Sequence, residues 1–266
     1  QQNKVEILVS GALRRFPRLY LPVAFTLVLA FIALPVALHI SANTASITHS
    51  TWLSIILKKD TSLRTFLFCF SYSTMFLGDS GYDTSMWTMS IELLGSMLVF
   101  GLLALTHNIK AKWIIFLLVA ILICPFSYYI AFIIGISLNY LKKINTAEIK
   151  YKRILVPLFI IIGLIMGGFP SWVNSGAQTF YKFMYTPFIS SHFYLVHIAG
   201  AAFIIMALLL SNVFQNFLSR KIFVFLGNIS FSSYLIHPLV LCTISCQMFL
   251  LLYNRIQDYN LSVLIT

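Results

Sequence analysis

Long apolar runs separated by short polar clusters set the pattern of this chain. A helix needs about 20 residues to cross the hydrocarbon core of a bilayer. Runs of that kind predict seven complete crossings, at Tyr20–Ile40, Met86–Thr106, Lys112–Cys124, Phe126–Leu141, Ile154–Phe169, Ser191–Leu210 and Ile229–Tyr253, and the start of an eighth near Asn260. The third and fourth are short and share Cys124-Pro125, so they tilt or form a hairpin that does not fully cross. Leu63–Leu77 is apolar and aromatic but only fifteen residues long, a length that suits a re-entrant or interface-lying helix. The expected fold is all-α, a polytopic transmembrane helix bundle forming a single domain over residues 1–266. No internal repeat and no low-complexity tract is visible.

Composition points the same way. Apolar residues are 59% of the chain and charged residues 9%, whereas a soluble domain carries about a quarter charged residues to keep its surface wet. Most of the surface therefore needs a solvent other than water, and the lipid bilayer is the expected partner. The net charge of +11 does not indicate nucleic acid, because the basic residues sit in short clusters between apolar runs, where they fix topology. The predicted crossings place thirteen Lys and Arg on one side and five on the other. Positive charge concentrates in cytoplasmic loops, so residues 1–19 are expected to be cytoplasmic and residues 41–85 outside. Cys69, Cys124, Cys242 and Cys246 have no metal-ligand spacing and read as buried free thiols, so no metal is implied. The chain begins Gln1-Gln2-Asn3 without Met and stops inside the apolar run Leu261–Thr266, so it reads as truncated at both ends.

Three stretches carry polar groups that a plain bundle does not need. Arg14, Arg15 and Arg18 precede the first crossing, and Arg14 and Arg18 are four apart, on one helical face. Planar guanidinium forks pair well with phosphate oxygens, though topology marking alone also accounts for them. Trp87 and Glu92 open the second crossing, with Glu92 about 9 Å in at the helical rise. Trp87 fits an interface anchor; Glu92 fits either a functional group or a structural ion pair. In the last complete crossing Asn228 reads as the N-cap, and Ser230, Ser233, Tyr234 and His237 follow as a polar stripe on one face. Serines alone would be helix–helix glue, but Tyr234 and His237 make the stripe a candidate cavity wall. His39, His49 and His107 lie in loops or at a helix end. His192 and His197 are five apart and share no face, leaving His197 as polar glue or a weak candidate.

Taken in order, Arg15-Phe16-Pro17-Arg18-Leu19-Tyr20-Leu21-Pro22, Trp87-Thr88-Met89-Ser90-Ile91-Glu92 and Ser230-Phe231-Ser232-Ser233-Tyr234-Leu235-Ile236-His237 resemble acyltransferase family 3 of membrane proteins. The resemblance covers essentially the whole chain. It departs where Leu93-Leu94-Gly95 stands in place of an aromatic pair and Pro, and where Phe231 stands in place of Tyr. It implies about ten crossings, the first bearing an essential Arg and His upstream of Gln1, so the chain as it stands is expected to lack its catalytic base and to be inactive alone.

The resemblance further implies transfer of an acetyl or similar acyl group from acyl-CoA (acetyl-CoA) to a hydroxyl of a carbohydrate or lipid-linked glycan, in a bacterial inner membrane. Arg14, Arg15 and Arg18, with Arg220 and Lys221, are expected to hold the CoA phosphates at the cytoplasmic face. Tyr234 and His237 are expected to line the acyl route, with Glu92 and Trp87 near the outer face orienting the acceptor. A carrier or flippase for a glycan or small anionic solute is the alternative, disfavoured by the absence of a repeat. Nothing in the sequence fixes the oligomeric state.

Overall fold

The computed structural model describes residues 2–57, 61–122, 127–141, 151–170 and 179–257, with positions 259 and 263. Among the described residues the chain is helical and contains no strand. Cys124 and the predicted eighth crossing near Asn260 lie outside them.

In chain order the helices are α1 (Gln2–Thr48), α2 (Thr51–Ile55), α3 (Leu63–Phe68), α4 (Thr74–Leu77), α5 (Trp87–Thr106), α6 (Lys112–Leu122), α7 (Ile130–Leu141), α8 (Lys152–Gly167), α9 (Pro187–Ser191), α10 (Phe193–Leu210), α11 (Asn212–Leu218), α12 (Lys221–Val240) and α13 (Cys246–Ile256). A π turn, Cys69–Ser73, links α3 to α4, and a second, Leu241–Ser245, links α12 to α13. Four spans are long and apolar enough to cross a membrane: Glu6–Thr48, Thr84–Thr106, Phe193–Leu210 and Lys221–Ile256. This is an integral membrane protein. The four contain the predicted crossings at Tyr20–Ile40, Met86–Thr106 and Ile229–Tyr253, and most of the one at Ser191–Leu210. The other three expected crossings appear as α6, α7 and α8. At the helical rise these described helices span about 17, 18 and 24 Å, less than the roughly 30 Å hydrocarbon core. Seven full crossings are therefore not what the described residues display.

Two helices outrun their predicted ends for one reason. In hydrocarbon every backbone N–H and C=O must be satisfied within the segment, so an apolar stretch cannot be left as loop. Helix α1 starts at Gln2 rather than at Tyr20 and runs unbroken through Arg14, Arg15 and Arg18, and through Pro17, Pro22 and Pro35. Asn228 is not an N-cap either. Helix α12 starts seven residues earlier, at Lys221, because Ile222–Leu226 is apolar throughout.

The described residues pack as two units, Gln1–Ser96 with Phe225–Thr266, and Met97–Val224. In the first, α3–α4 runs antiparallel to α1. Phe66 stacks on Phe31 at 4.3 Å, Phe70 meets Tyr20 at 5.9 Å, and Phe76 meets Phe16 at 6.2 Å. From Phe16 to Phe31 is about 22 Å of helix. The chain then reverses at Gly78, whose φ of 71° is the left-handed conformation that glycine adopts freely. A Cβ there would lie 2.8 Å from Ser90 Oγ. Asp79 turns back on the helix it has left, its Oδ2 accepting from Ser73 Oγ at 3.1 Å and Cys69 Sγ at 3.2 Å. By Tyr82 the chain is again beside Phe31 and Phe66, 5.9 Å from each ring. The chain thus makes a down-and-back hairpin against α1, with Leu63–Leu77 too short to be a full span. Cys242 and Cys246 are buried free thiols on the α12–α13 side of the same unit, and Thr44 Oγ1 of α1 donates to the Cys246 carbonyl at 3.4 Å.

In the second unit α8 and α10 meet through glycine. A Cβ on Gly163 would stand 2.9 Å from the Gly200 carbonyl, and one on Gly200 would stand 2.8 Å from the Gly167 nitrogen. Small residues permit this backbone approach. His197 fastens the same pair: a carbonyl can only accept, so His197 Nε2–H donates to the Phe169 oxygen at 2.7 Å. Polar glue is its role here. Leu102, Phe116, Ile133 and Ile136 form an apolar core between α5, α6 and α7.

Candidate active site

The polar groups of the first unit converge at the N-terminus of α5. Asp83 is 1% exposed and caps the short 3₁₀ turn Thr84–Met86. Its Oδ1 accepts from the Ser85 N–H at 2.8 Å and the Ser85 hydroxyl at 2.6 Å. Its Oδ2 is buried without a hydrogen-bond partner. The residue lies just before the membrane-spanning helix, and burial pushes its carboxyl above the ordinary carboxylate range. The two Ser85 hydrogen bonds and the nearby His237 pull the other way.

Ser85 presents its carbonyl to two hydroxyls. Tyr234 Oη donates to it at 3.0 Å and Thr88 Oγ1 at 3.0 Å, while Thr88 and Tyr234 lie 2.9 Å apart. These three oxygens form a closed triangle sharing two protons. The Tyr234 hydroxyl is therefore engaged within the protein, tying α12 to the start of α5, and only part of its ring is exposed.

One turn on, Pro238 decides the state of His237. Proline has no N–H, so it cannot take up the carbonyl four residues back, which belongs to Tyr234. His237 Nδ1 lies 2.6 Å from that carbonyl oxygen. The oxygen only accepts, so Nδ1 carries the proton and Nε2 of the neutral ring keeps its lone pair. His237 itself is exposed on the α12 face. The π turn that follows, Leu241–Ser245, belongs to a class of helix irregularity frequent at functional sites.

The second polar group is an ion pair. Arg15 Nη2 binds Glu92 Oε1, and Arg15 Nε donates to Ser96 Oγ at 2.9 Å. This corrects the depth expected from sequence. Arg15 at the cytoplasmic boundary and Glu92 near the outer one cannot touch across a bilayer, yet they stand at one level. Arg14 and Arg15 point about 100° apart, as successive helical residues do, and Arg18 lies between them on the wheel, close enough to act on Arg15. Arg14 and Arg18 are both exposed. Arg14 lines a surface hollow with Glu6, Ile7, Ser10 and Gly11.

Of the remaining expected residues, Trp87 is 41% exposed at the first position of α5, next to Thr88. Arg220 and Lys221 belong to the second unit, where the Arg220 guanidinium sits 5.2 Å from the Phe217 ring centre. Thr88 shares a helical face with Glu92, Gly95 and Ser96 by spacing alone, whereas Asp83 and Ser85 were not singled out from the sequence. The signal was present in Asp83-Thr84-Ser85 before an apolar run, an N-terminal cap for the helix.

The described residues therefore define a polytopic helical membrane protein that brings a histidine, a tyrosine and an arginine–glutamate pair onto adjoining helices. The family model for the acyltransferase domain of the acyltransferase 3 family matches residues 6–253, and the chain belongs to that family. No curated protein and no solved structure matches the chain.

Proposed function

We propose that this acyltransferase takes an acetyl or similar short acyl group from acyl-CoA and places it on a hydroxyl of a carbohydrate or lipid-linked glycan. A bacterial inner membrane is the setting that fits. The observation that carries the reading is the contact of His237 Nδ1 with the Tyr234 carbonyl, which in the neutral ring puts the proton on Nδ1 and the lone pair on Nε2. A base of this kind can take the proton of an acceptor hydroxyl as its oxygen attacks the thioester carbon. The C–O bond forms, the C–S bond breaks, and the proton passes to the departing thiolate, giving free CoA.

Arg14 and Arg18 are the basic groups suited to the CoA phosphates, since both are exposed and share a face of α1. Arg15 is committed to Glu92 and Ser96 and supports the framework. Glu92 serves the same framework, because one of its oxygens already binds a guanidinium. Trp87, half-exposed beside Thr88, offers an aromatic face against which a sugar ring can lie.

The test uses the full-length protein in detergent, labelled acetyl-CoA and a glycan extract. Label is expected in glycan. His237→Ala should cut kcat by about 100-fold or more, the usual contribution of a positioned base, and Arg18→Ala should raise KM for acetyl-CoA. Absence of CoA binding at millimolar concentration would sink the reading in favour of a carrier.

A further inference from the structure

We infer that Asp83 is a positioning residue, whose carboxylate builds the turn that holds Tyr234 and, through it, His237. The inference rests on the acyl-transfer reading above and extends it to a residue that touches none of the reacting groups.

The chain of contacts is continuous. Asp83 Oδ1 takes both protons that Ser85 can offer, from N–H and from Oγ–H. That holds Ser85 in the 3₁₀ turn, whose following peptide is itself tied to Asp83 by the Met86 N–H to Asp83 carbonyl bond of 3.1 Å, and the Ser85 carbonyl of that peptide accepts from Tyr234 Oη and Thr88 Oγ1. The phenol anchored there sets the rotation of α12 about its axis. Three residues on, His237 completes the sequence by donating to the Tyr234 carbonyl.

Burial argues that this is more than an ordinary helix cap. Caps usually sit in solvent, where a carboxylate keeps its hydration at no cost. Asp83 is 1% exposed, and its second oxygen has no hydrogen-bond partner. A buried polar atom without a partner costs roughly 1–3 kcal/mol. A role for Oδ1 in a fixed place accounts for the residue; a general electrostatic role for the charge on His237 is the competing account, and the two make opposite predictions.

Asp83→Asn keeps an acceptor oxygen at the same reach and discards the charge. Asp83→Glu keeps the charge and moves the oxygens by one methylene. The experiment measures kcat and KM for acetyl-CoA in the full-length protein, with Tyr234→Phe alongside. Positioning predicts Asp83→Asn within about twofold of wild type. Asp83→Glu and Tyr234→Phe should each lower kcat at least fivefold with KM for acetyl-CoA unchanged, and combining them should cost little more than either alone. The reverse order, with Asn inactive and Glu active, overturns the inference in favour of charge. So does full additivity of the double variant.

A second readout does not need turnover. With ¹⁵N-histidine label, the His237 ring signals of Asp83→Asn should match wild type, while those of Asp83→Glu and Tyr234→Phe should both shift, because α12 turns and the ring meets new surroundings. Unshifted signals in Tyr234→Phe overturn the inference even where the acetyl transfer stands. The expected shifts in a protein that never transfers acyl groups support the positioning and sink only the reaction.

Discussion

Replacing Pro238 with alanine should make the protein more stable and less active. Proline inside a helix costs about 3 kcal/mol relative to alanine, and Pro238 is fully buried in α12. Alanine removes two methylenes from that site, losing about 1.6 kcal/mol at the usual value for a buried methylene. The net gain is then about 1 kcal/mol, visible as a higher melting temperature in detergent. Alanine also brings back the N–H that competes for the Tyr234 carbonyl. His237 Nδ1 loses its sole claim to that oxygen, a hydrogen bond worth about 0.5–1.5 kcal/mol. The ratio of His237 with a free Nε2 to the other tautomer falls by the corresponding factor, about 2- to 12-fold at 1.4 kcal/mol per decade, and kcat falls by up to that factor. The assay is kcat for acetyl transfer measured beside thermal unfolding of the same preparation. A Pro238→Ala enzyme that is more stable yet turns over at the wild-type rate would refute the tautomer argument.

Glu92→Leu alone should lower the melting temperature, because Arg15 loses its counter-charge, while Arg15→Met with Glu92→Leu should recover most of the loss, since a partly buried pair and an apolar replacement are of similar stability. A Glu92→Leu protein as stable as wild type would show the pair to be idle. Gly200→Leu drives a side chain into the Gly167 nitrogen and the Gly163 carbonyl, so thermal unfolding should reveal a loss of about 1–3 kcal/mol or more from overpacking; Gly227→Ala, with open space around it inside α12, should instead gain about 0.5–1 kcal/mol from helix propensity. Because the Asp83 carboxyl is raised by burial, its contribution to stability is present below the ordinary carboxylate range and is lost as pH rises through the raised value. Melting temperatures measured from acid to neutral pH should therefore fall more in wild type than in Asp83→Asn, and parallel curves would remove Asp83 as the cause.

Much of the fold was readable because the bilayer leaves little choice. Runs such as Val23–Leu38 and Phe193–Leu210 have no means of satisfying their backbone except as helix, and their length sets which can cross. The short hairpin at 63–77 was legible by the same arithmetic, being too short to span. The helix ends were not. Asn228 has the chemistry of a cap, and the arginines before Tyr20 have the look of a cytoplasmic boundary, but both lie inside continuous helix, since apolar neighbours outweigh local preference.

The candidate site divides in the same manner. Sequence placed Tyr234 and His237 on one face by period, Arg14 with Arg18 by spacing, and Glu92 within a membrane helix where an ion pair was one of two readings. It also held, unread, the proline that frees the Tyr234 carbonyl. Spacing along one helix carries this information because it is local and periodic. What only the tertiary structure decided is which helices stand side by side and at what height. That choice gave Arg15, rather than a phosphate, to Glu92, brought Ser85 and Thr88 under the Tyr234 hydroxyl, and buried Asp83. These pairings join residues more than seventy positions apart, and their register depends on where the chain turns at Gly78, which no hydrophobic period records.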